Sequence, residues 1–422
     1  MWRLMPFLFL LYIVAYLDRI NVSFAILQMR GQLHLSDRAY GRAAGIFFAG
    51  YFFFQLPSNL LLVRVGVRRW ITGLMVTWGL VSCSMIFIRG PVSFYTLRFL
   101  LGVAEAGFFP GMILYLRQWF PASARARAVA WFMTANPLAG VVGSPISGAL
   151  LGLRGAGLAG WQWLFLMEGL PAIVLGVAVY WVLTDKPENA RWLAEPERKW
   201  LVETLAREQQ AVAATPQVGS VQPKEGIWAV LLSARTWLLS VIFFGVSTCM
   251  YGVTLWLPTV IRTLSHLSYF ETGVVAAIPY VIAAVVMVAM GMSSDRTGER
   301  RWHTALPAFL GAGALGVAAY SNPAALVIGG IGLGMIGAEA MLGPFWAMAT
   351  ARLRGTSAAA GIAVINSIAN LGGYFGPYII GRASSLGGGF RGGLLAIAAT
   401  LAVSGGIAAM LGRGTRRVEG VG

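Results

Sequence analysis

Long apolar runs occupy most of this 422-residue chain. A helix needs about 20 consecutive apolar residues to cross the hydrocarbon core of a bilayer. The sequence predicts twelve such spans, at 5–27, 40–62, 70–90, 92–116, 127–150, 161–184, 235–260, 270–293, 302–320, 323–348, 356–382 and 388–411. With 57% hydrophobic and only 11% charged residues, the composition excludes a soluble globular protein. The chain is therefore predicted to be an all-α integral membrane protein.

The basic residues are distributed unevenly between the two sides of these spans. If both termini are cytoplasmic, 22 of the 32 Lys and Arg residues lie in cytoplasmic segments, 8 in outer loops and 2 within spans. Cytoplasmic loops are enriched in basic residues, so this asymmetry supports that orientation. It also explains the net charge of +16 without nucleic acid as a partner. The start of the chain resembles a signal peptide but continues past Asp18 and Arg19, which indicates an uncleaved first helix.

The sequence offers no metal or cofactor site. The three His residues fall in loops or at span ends without metal-ligand spacing. Cys83 and Cys249 lie in separate apolar spans, as small buried hydrophobic residues do. A membrane enzyme is disfavoured because no Ser-His-Asp set, metal cluster or phosphate-binding glycine loop is present.

A polar segment and an internal repeat divide the chain into two halves. The predicted boundaries are an N-terminal bundle at 1–184, a cytoplasmic linker at 185–234 and a C-terminal bundle at 235–422. Within the linker, 187–209 is predicted to form an amphipathic helix along the membrane face. Its predicted apolar side consists of Trp192, Leu193, Trp200, Leu201 and Leu205.

The repeat aligns the segment 63–70 with the segment 295–302. Five of the eight positions are identical, and each copy joins the second and third spans of its half. Six spans followed by six more form a parallel repeat, the arrangement of transporters whose binding site lies between the two halves.

Several motifs resemble a known family. The loop with Gly291, Ser294, Asp295, Arg296, Gly298, Arg300 and Arg301 is similar to the signature loop of the major facilitator superfamily. Four stretches resemble its anion:cation symporter branch, namely YLDRINVSFA at 16–25, LRFLLGVAEAGFFPG at 97–111, YGVTLWLPTVI at 251–261 and INSIANLGGYFGP at 365–377. That branch includes bacterial carriers for tartrate, galactonate and hydroxyphenylacetate. The resemblance implies a twelve-helix fold of two six-helix bundles, acting as a monomer in a bacterial inner membrane.

Four ionisable residues lie inside predicted spans: Asp18 and Arg19 in the first, Arg98 and Glu105 in the fourth. Each charge in mid-membrane costs at least about 2.5 to 3.5 kcal/mol, so such residues usually mark a functional site. Arg98 and Glu105 are seven residues apart and share one helix face, whereas Asp18 and Arg19 diverge by about 100°. One of these two neighbours is therefore expected to face the cavity more directly. The alternative is a purely structural set of ion pairs between the two helices.

The resemblance implies specific roles for these residues. Arg19 and Arg98 match the family's substrate-carboxylate positions, and Asp18 and Glu105 match its proton-coupling acids. Guanidinium holds a carboxylate bidentately without titrating, whereas buried acids can load and release protons. The family match also favours a set of substrate contacts, for which interhelical hydrogen bonding is the alternative: Tyr16, Tyr51, Asn136, Trp346 and Asn366.

Asp295, Arg296, Gly298 and Arg301 are expected to form the conformational loop of the second half. The first half departs from the family at Val63, where an acid is usual. Two further intramembrane acids remain, of which Glu168 is expected to be structural and Glu339 has no assigned role. The predicted function is a proton-coupled symporter that imports a small organic carboxylate by alternating access. An exchanger or exporter of the same fold is the alternative.

Overall fold

The computed structural model describes residues 2–214, 232–350 and 355–411. Apart from short 3-10 and π turns, it consists of seventeen helices in those ranges: α1 Met5–Ile20, α2 Val22–Gln32, α3 Asp37–Val65, α4 Val67–Ser84, α5 Pro91–Glu105, α6 Phe108–Trp119, α7 Ala122–Met133, α8 Ala135–Leu150, α9 Gly160–Val182, α10 Glu195–Ala214, α11 Ala234–Ser265, α12 Tyr269–Thr297, α13 Arg301–Tyr320, α14 Ala324–Ala340, α15 Leu342–Thr350, α16 Gly355–Ala383 and α17 Arg391–Leu411.

The twelve predicted spans are confirmed. Ten helical segments of the described chain are long and apolar enough to cross a bilayer. The other two are the fifth span, which divides at Thr134 into α7 and α8, and the eleventh, α16. The first, fourth and tenth spans also break, at Asn21, at Ala106–Gly107 and at Met341. These interruptions place backbone irregularities at the depth where the charged residues lie, a pattern tolerated only inside the protein or beside a cavity.

The predicted linker helix is corrected by the structure. It begins at Glu195 rather than at residue 187 and continues to Ala214, while Pro187–Asn189 forms a single 3-10 turn. Leu201 is buried, and Trp192 stacks on Trp119 with ring centroids 5.4 Å apart. Trp200 is 55% exposed and therefore does not belong to the packed side.

The two repeat loops share one backbone design. Gly66 and Gly298 both have positive φ, +92° and +66°, a conformation that favours glycine. A carboxylate then accepts hydrogen bonds at the start of the following helix. In the second half this carboxylate belongs to Glu299, which accepts from Trp302 N–H at 2.9 Å. In the first half it belongs to Asp185, which accepts from Arg68 N–H at 3.0 Å. The linker residue Asp185 thus takes the place of Glu299, whose aligned position in the first loop is Val67.

Within the described residues, the N-terminal half (α1–α9) and the C-terminal half (α11–α17) meet mainly through the helix pairs α3 with α16, α8 with α12 and α2 with α11. The closest approaches lie on the side opposite to Met5 and Leu411. There Ser384 Oγ donates to Asp37 Oδ2 at 2.6 Å, and the Tyr40 hydroxyl donates to the Leu255 carbonyl. The halves are therefore in contact on the side away from the chain ends. If both termini are cytoplasmic, as the sequence predicts, these contacts close the outer side of the protein.

Close backbone approach at this interface depends on glycine. A Cβ on Gly41 would lie 2.6 Å from the Pro377 carbonyl oxygen and 3.1 Å from the Gly381 Cα. Backbone atoms cannot move aside as a flexible side chain can, so any larger residue must separate α3 from α16.

We predict that Gly41→Ala opens this side of the protein. The overpacking costs about 1–3 kcal/mol, enough to shift a two-state equilibrium about 5- to 150-fold. The measurement is maleimide labelling of a cysteine at Ser384 in a background lacking Cys83 and Cys249. Gly73→Ala is the matched control, because a Cβ there meets no atom within 4 Å. Equal labelling rates in the two variants would contradict the prediction.

Candidate functional site

A salt bridge between Arg19 and Glu105 forms the centre of the site. Arg19 Nη2 lies 2.9 Å from Glu105 Oε2. Arg19 precedes the break at Asn21, and Glu105 is the last residue of α5 before the break at Ala106. The Glu105 side chain is 1% exposed and the Arg19 side chain 16% exposed. Of this pair, the guanidinium is the member that a ligand can reach.

Aromatic rings surround the Arg19 guanidinium. Its Cζ lies 5.3 Å from the Phe47 ring centroid and 5.2 Å from the Tyr51 ring centroid, both on α3. From the C-terminal half, the Tyr251 hydroxyl accepts a hydrogen bond from Arg19 Nη1 at 3.4 Å. Cation–π contacts of this kind hold a guanidinium in place while leaving its donors free for an anion. Arg19 is thus held at the boundary between the halves.

Arg98 occupies a different environment from Arg19. Its side chain is fully buried, and none of its three nitrogens has a hydrogen-bond partner in the described part of the chain. Its Cζ lies 4.9 Å from the centroid of the same Phe47 ring. Phe47 therefore contacts two guanidinium groups, of which only Arg19 is accessible in this state.

Asp18 points away from its neighbour Arg19. It is fully buried within the N-terminal half, and its Oδ1 accepts a hydrogen bond from Ser82 Oγ on α4 at 2.6 Å. Asn21 Nδ2 donates to the same oxygen at 3.4 Å. The expected divergence of the two neighbouring side chains is therefore present, and Arg19 is the one that faces the other half.

The C-terminal half presents an acid and several aromatic rings. Glu339 is 4% exposed and has electrostatic interactions with Tyr12, Tyr16 and Tyr280. Trp346 packs edge-on against Phe243, with ring centroids 5.1 Å apart.

The remaining predicted contacts differ in their surroundings. Tyr16 is 3% exposed and has an electrostatic interaction with Arg19. Asn136 is half-buried, and its Oδ1 has no hydrogen-bond partner in the described residues. Asn366 is half-buried on α16. One turn further, Asn370 Nδ2 donates to Gln55 Oε1 of the other half at 3.4 Å.

Sequence reasoning missed three of the residues around Arg19: Phe47, Tyr12 and Tyr251. The sequence could have indicated Tyr251, because this residue begins the family-like stretch at 251–261. Phe47 carried none, since it is one of many phenylalanines in an apolar span. Only the packing of α3 against α5 selects it.

The predicted conformational loop is ordered by its own charges. Arg300 Nη1 donates to Asp295 Oδ1 at 2.6 Å and to Ser294 Oγ at 3.0 Å. Arg301 lies over the Trp302 ring at 4.6 Å, and Arg296 is exposed. Burial raises the pKa of the Glu299 carboxyl, but hydrogen bonds from His303 and two backbone N–H groups outweigh it and hold that pKa below its usual value.

Comparison with known proteins identifies the fold and the family. The family model described as the Major Facilitator Superfamily matches residues 8–377. The chain belongs to this superfamily. A superfamily member from Agrobacterium vitis, named as a tartrate transporter, is 48% identical over 412 residues, which is 97% of this chain and 93% of that protein. As a member of the superfamily, the chain is a transporter and not an enzyme.

Two further superfamily members are similar to this chain, one in sequence and one in structure. A protein of Acinetobacter baumannii named as a quinolone resistance transporter is 38% identical over 394 residues, 93% of this chain and 89% of its own. The crystal structure of a bacterial homologue of the human lysosomal transporter Spinster superposes with a TM-score of 0.79 at 18% identity, covering 97% of this chain and 96% of that one.

We predict that Arg98→Met leaves the protein folded but inactive. Arg98 forms no salt bridge within the described residues, and an unpaired charge is costly in an apolar interior, so replacing it by an apolar side chain of similar size is not expected to destabilise the fold. The measurement is thermal unfolding in detergent together with substrate uptake. Arg117→Met, at an exposed position of α6, is the control. Strong destabilisation by Arg98→Met would instead indicate that Arg98 serves mainly to hold the bundle together.

Proposed function

We propose that this protein is a proton-coupled symporter that imports a small organic carboxylate across a bacterial inner membrane. The observation that carries the proposal is the accessible Arg19 guanidinium, paired with the buried Glu105 at the meeting point of the two halves. A hydroxy dicarboxylate is the substrate class favoured by the tartrate transporter name of the 48% identical relative.

Competition for Arg19 supplies the coupling. While Glu105 is ionised, it occupies one edge of the guanidinium at 2.9 Å. A proton on Glu105 removes that charge, and a substrate carboxylate then takes its place, held bidentately. Proton and anion therefore favour each other's binding, and this coupling is reciprocal.

The remaining proposed residues have supporting roles. Tyr51 and Tyr16 stand beside Arg19 as hydroxyl contacts for the substrate, and Trp346 forms an aromatic wall of the cavity. Asn136 and Asn366 are half-buried amides able to bind its hydroxyl groups. Arg98 is fully buried here, so its proposed action as a second carboxylate anchor belongs to another conformation of the carrier.

The electrical balance requires more than one proton. Moving an anion alone into a negative-inside cell is uphill by about 2.3 kcal/mol per charge per 100 mV. A monovalent anion with two protons carries net charge +1 inward, and a divalent anion requires three for the same driving force. Asp18 and Glu105 are the proposed proton carriers; with two protons a divalent anion moves without net charge, and the pH gradient alone then drives its uptake.

Alternating access follows from the interface between the halves. The contacts at Asp37–Ser384 and Gly41–Pro377 close one side, and they must separate for the outer side to open. The Asp295–Arg300 ion pair of the conformational loop lies at the other side, where the halves must close in turn. Rocking of one half against the other exposes Arg19 to each side.

We predict that Glu105→Gln abolishes proton-driven accumulation while retaining some substrate exchange. The amide cannot carry the proton, yet it leaves Arg19 free for the anion. The measurement is uptake of labelled L-tartrate and of sugar acids into proteoliposomes under an imposed pH gradient, compared with counterflow without a gradient. Glu203→Gln on α10 is the control. Normal accumulation by the Glu105→Gln carrier would remove Glu105 from the coupling.

An exporter of organic anions is the second candidate, favoured by the quinolone resistance transporter name of the 38% identical relative. The same proteoliposomes distinguish the two, because an exporter exchanges protons for substrate. A pH gradient that drives substrate out of the compartment into which protons enter would identify antiport and overturn the symporter.

A further inference from the structure

A second group of buried polar side chains lies inside the N-terminal half, away from Arg19. It joins four helices and the break in the first span: Asp18 on α1, Asn21 at the break, Ser82 on α4, Ser147 on α8 and Glu168 on α9. Each is at most 4% exposed. Two carboxyl groups, one amide and two hydroxyl groups are therefore shielded together from water and lipid.

The hydrogen bonds of this cluster leave several oxygens unpaired. Ser82 Oγ donates to Asp18 Oδ1 and Ser147 Oγ donates to Glu168 Oε1, both at 2.6 Å. The Asn21 amide group donates to Asp18 and also faces Glu168. Three buried oxygens have no hydrogen-bond partner in the described part of the chain: Asp18 Oδ2, Asn21 Oδ1 and Glu168 Oε2. The indole N–H of the buried Trp78 also faces Asp18. Even with this donor, the cluster has more acceptor oxygens than polar hydrogens.

The charges around the cluster do not compensate two carboxylates. Electrostatic interactions link Asp18 to Glu168, Glu105, Arg98 and the Cys83 thiol. Within the described residues, neither Asp18 nor Glu168 forms a salt bridge. Arg19 is paired with Glu105, and Arg98 lies against Phe47.

Unpaired carboxylates in an apolar interior are so costly that such groups are found paired or neutralised. Protonation would supply both the missing hydrogen-bond donors and the missing positive charge, because a protonated carboxyl group is neutral and its O–H donates to a neighbouring acceptor.

We propose that Asp18 and Glu168, bridged by Asn21, form a buried proton-binding site separate from the Arg19–Glu105 pair. A proton on Glu168 Oε2 gives Asn21 Oδ1 a donor, and a proton on Asp18 Oδ2 removes the second unpaired charge. Glu168 thereby acquires a role beyond the structural one expected from the sequence. The use of this site in transport rests on the proposed function, whereas the binding of protons to it does not.

The site lies next to helices of the N-terminal half that contact the C-terminal half. Asn21 is the residue at which α1 gives way to α2, and α2 packs against α11 of the other half. Ser147 belongs to α8, whose Ser144 carbonyl is the close neighbour of Gly273 on α12. Loading or releasing a proton here alters hydrogen bonds on two helices that contact the C-terminal half.

Infrared difference spectroscopy of the purified full-length carrier tests the site with protons as the only ligand. We expect wild-type protein at neutral pH to show the C=O stretch of neutral carboxyl groups, in sodium-free buffer. Glu168→Gln and Asp18→Asn should each reduce this signal, by up to one carboxyl equivalent. Glu203→Gln, an exposed carboxyl paired with Arg207 on the linker helix, should leave it unchanged.

Two results would overturn the proton site. The first is equal neutral-carboxyl intensity in wild type, Glu168→Gln and Asp18→Asn, since both groups would then be ionised. The second is loss of the signal on adding sodium at constant pH, which would assign the oxygens to a sodium ion. If Glu168→Gln fails to fold, Glu168→Asp is the second variant, because it keeps a titratable group. A neutral-carboxyl C=O band shifted from its wild-type position supports the site, and an unshifted band overturns it.

Transport measurements separate this inference from the proposed function. Under a pH gradient we expect Glu168→Gln to lose L-tartrate accumulation at least about tenfold, with slower but measurable counterflow, because coupling is affected and Arg19 is not. Wild-type protein that shows the infrared signal but no proton-driven uptake would overturn the proposed function and leave the proton site standing. Full accumulation by Glu168→Gln would overturn the role of Glu168 in coupling.

Discussion

The salt bridge between Arg19 and Glu105 is the interaction on which the rest of the site depends. A single charge at mid-membrane is costly, and its partner on a facing helix makes both acceptable. The pair fixes the rotation of α1 against α5, because each side chain must reach the other at 2.9 Å. That rotation directs Asp18 into the N-terminal half and Arg98 against Phe47. One contact therefore orders two other buried ionisable groups.

The buried charges form two chemically different groups. At the boundary between the halves, an acid is balanced by a guanidinium that stacks on Phe47 and Tyr51, so an anion can replace the acid. Inside the N-terminal half, two acids share serine and asparagine donors without a salt-bridge partner in the described chain. The first arrangement suits an exchangeable organic anion and the second a proton.

The two halves are similar in design but not in detail. Each has a loop glycine at positive φ followed by a helix whose first N–H groups bind a carboxylate. In the second half that acid lies within the loop, whereas in the first half Asp185 supplies it from the linker. Val63 and Val67 replace the two loop acids of the second half. The first loop is consequently hydrogen-bonded to the start of the linker.

The sequence by itself determined the twelve spans, the family and the identity of the four charged residues in spans one and four, and it predicted the two-half organisation. These follow from hydropathy, a local repeat and the cost of charge in lipid, all properties that act along the chain. Only the tertiary structure decided what each charge meets. A 100° step per residue shows that Asp18 and Arg19 diverge, but it does not show which neighbour lies in either direction. Ser82, Glu168 and Tyr251 are 64 to 232 residues away from that pair, and they become partners because helix packing brings distant segments together.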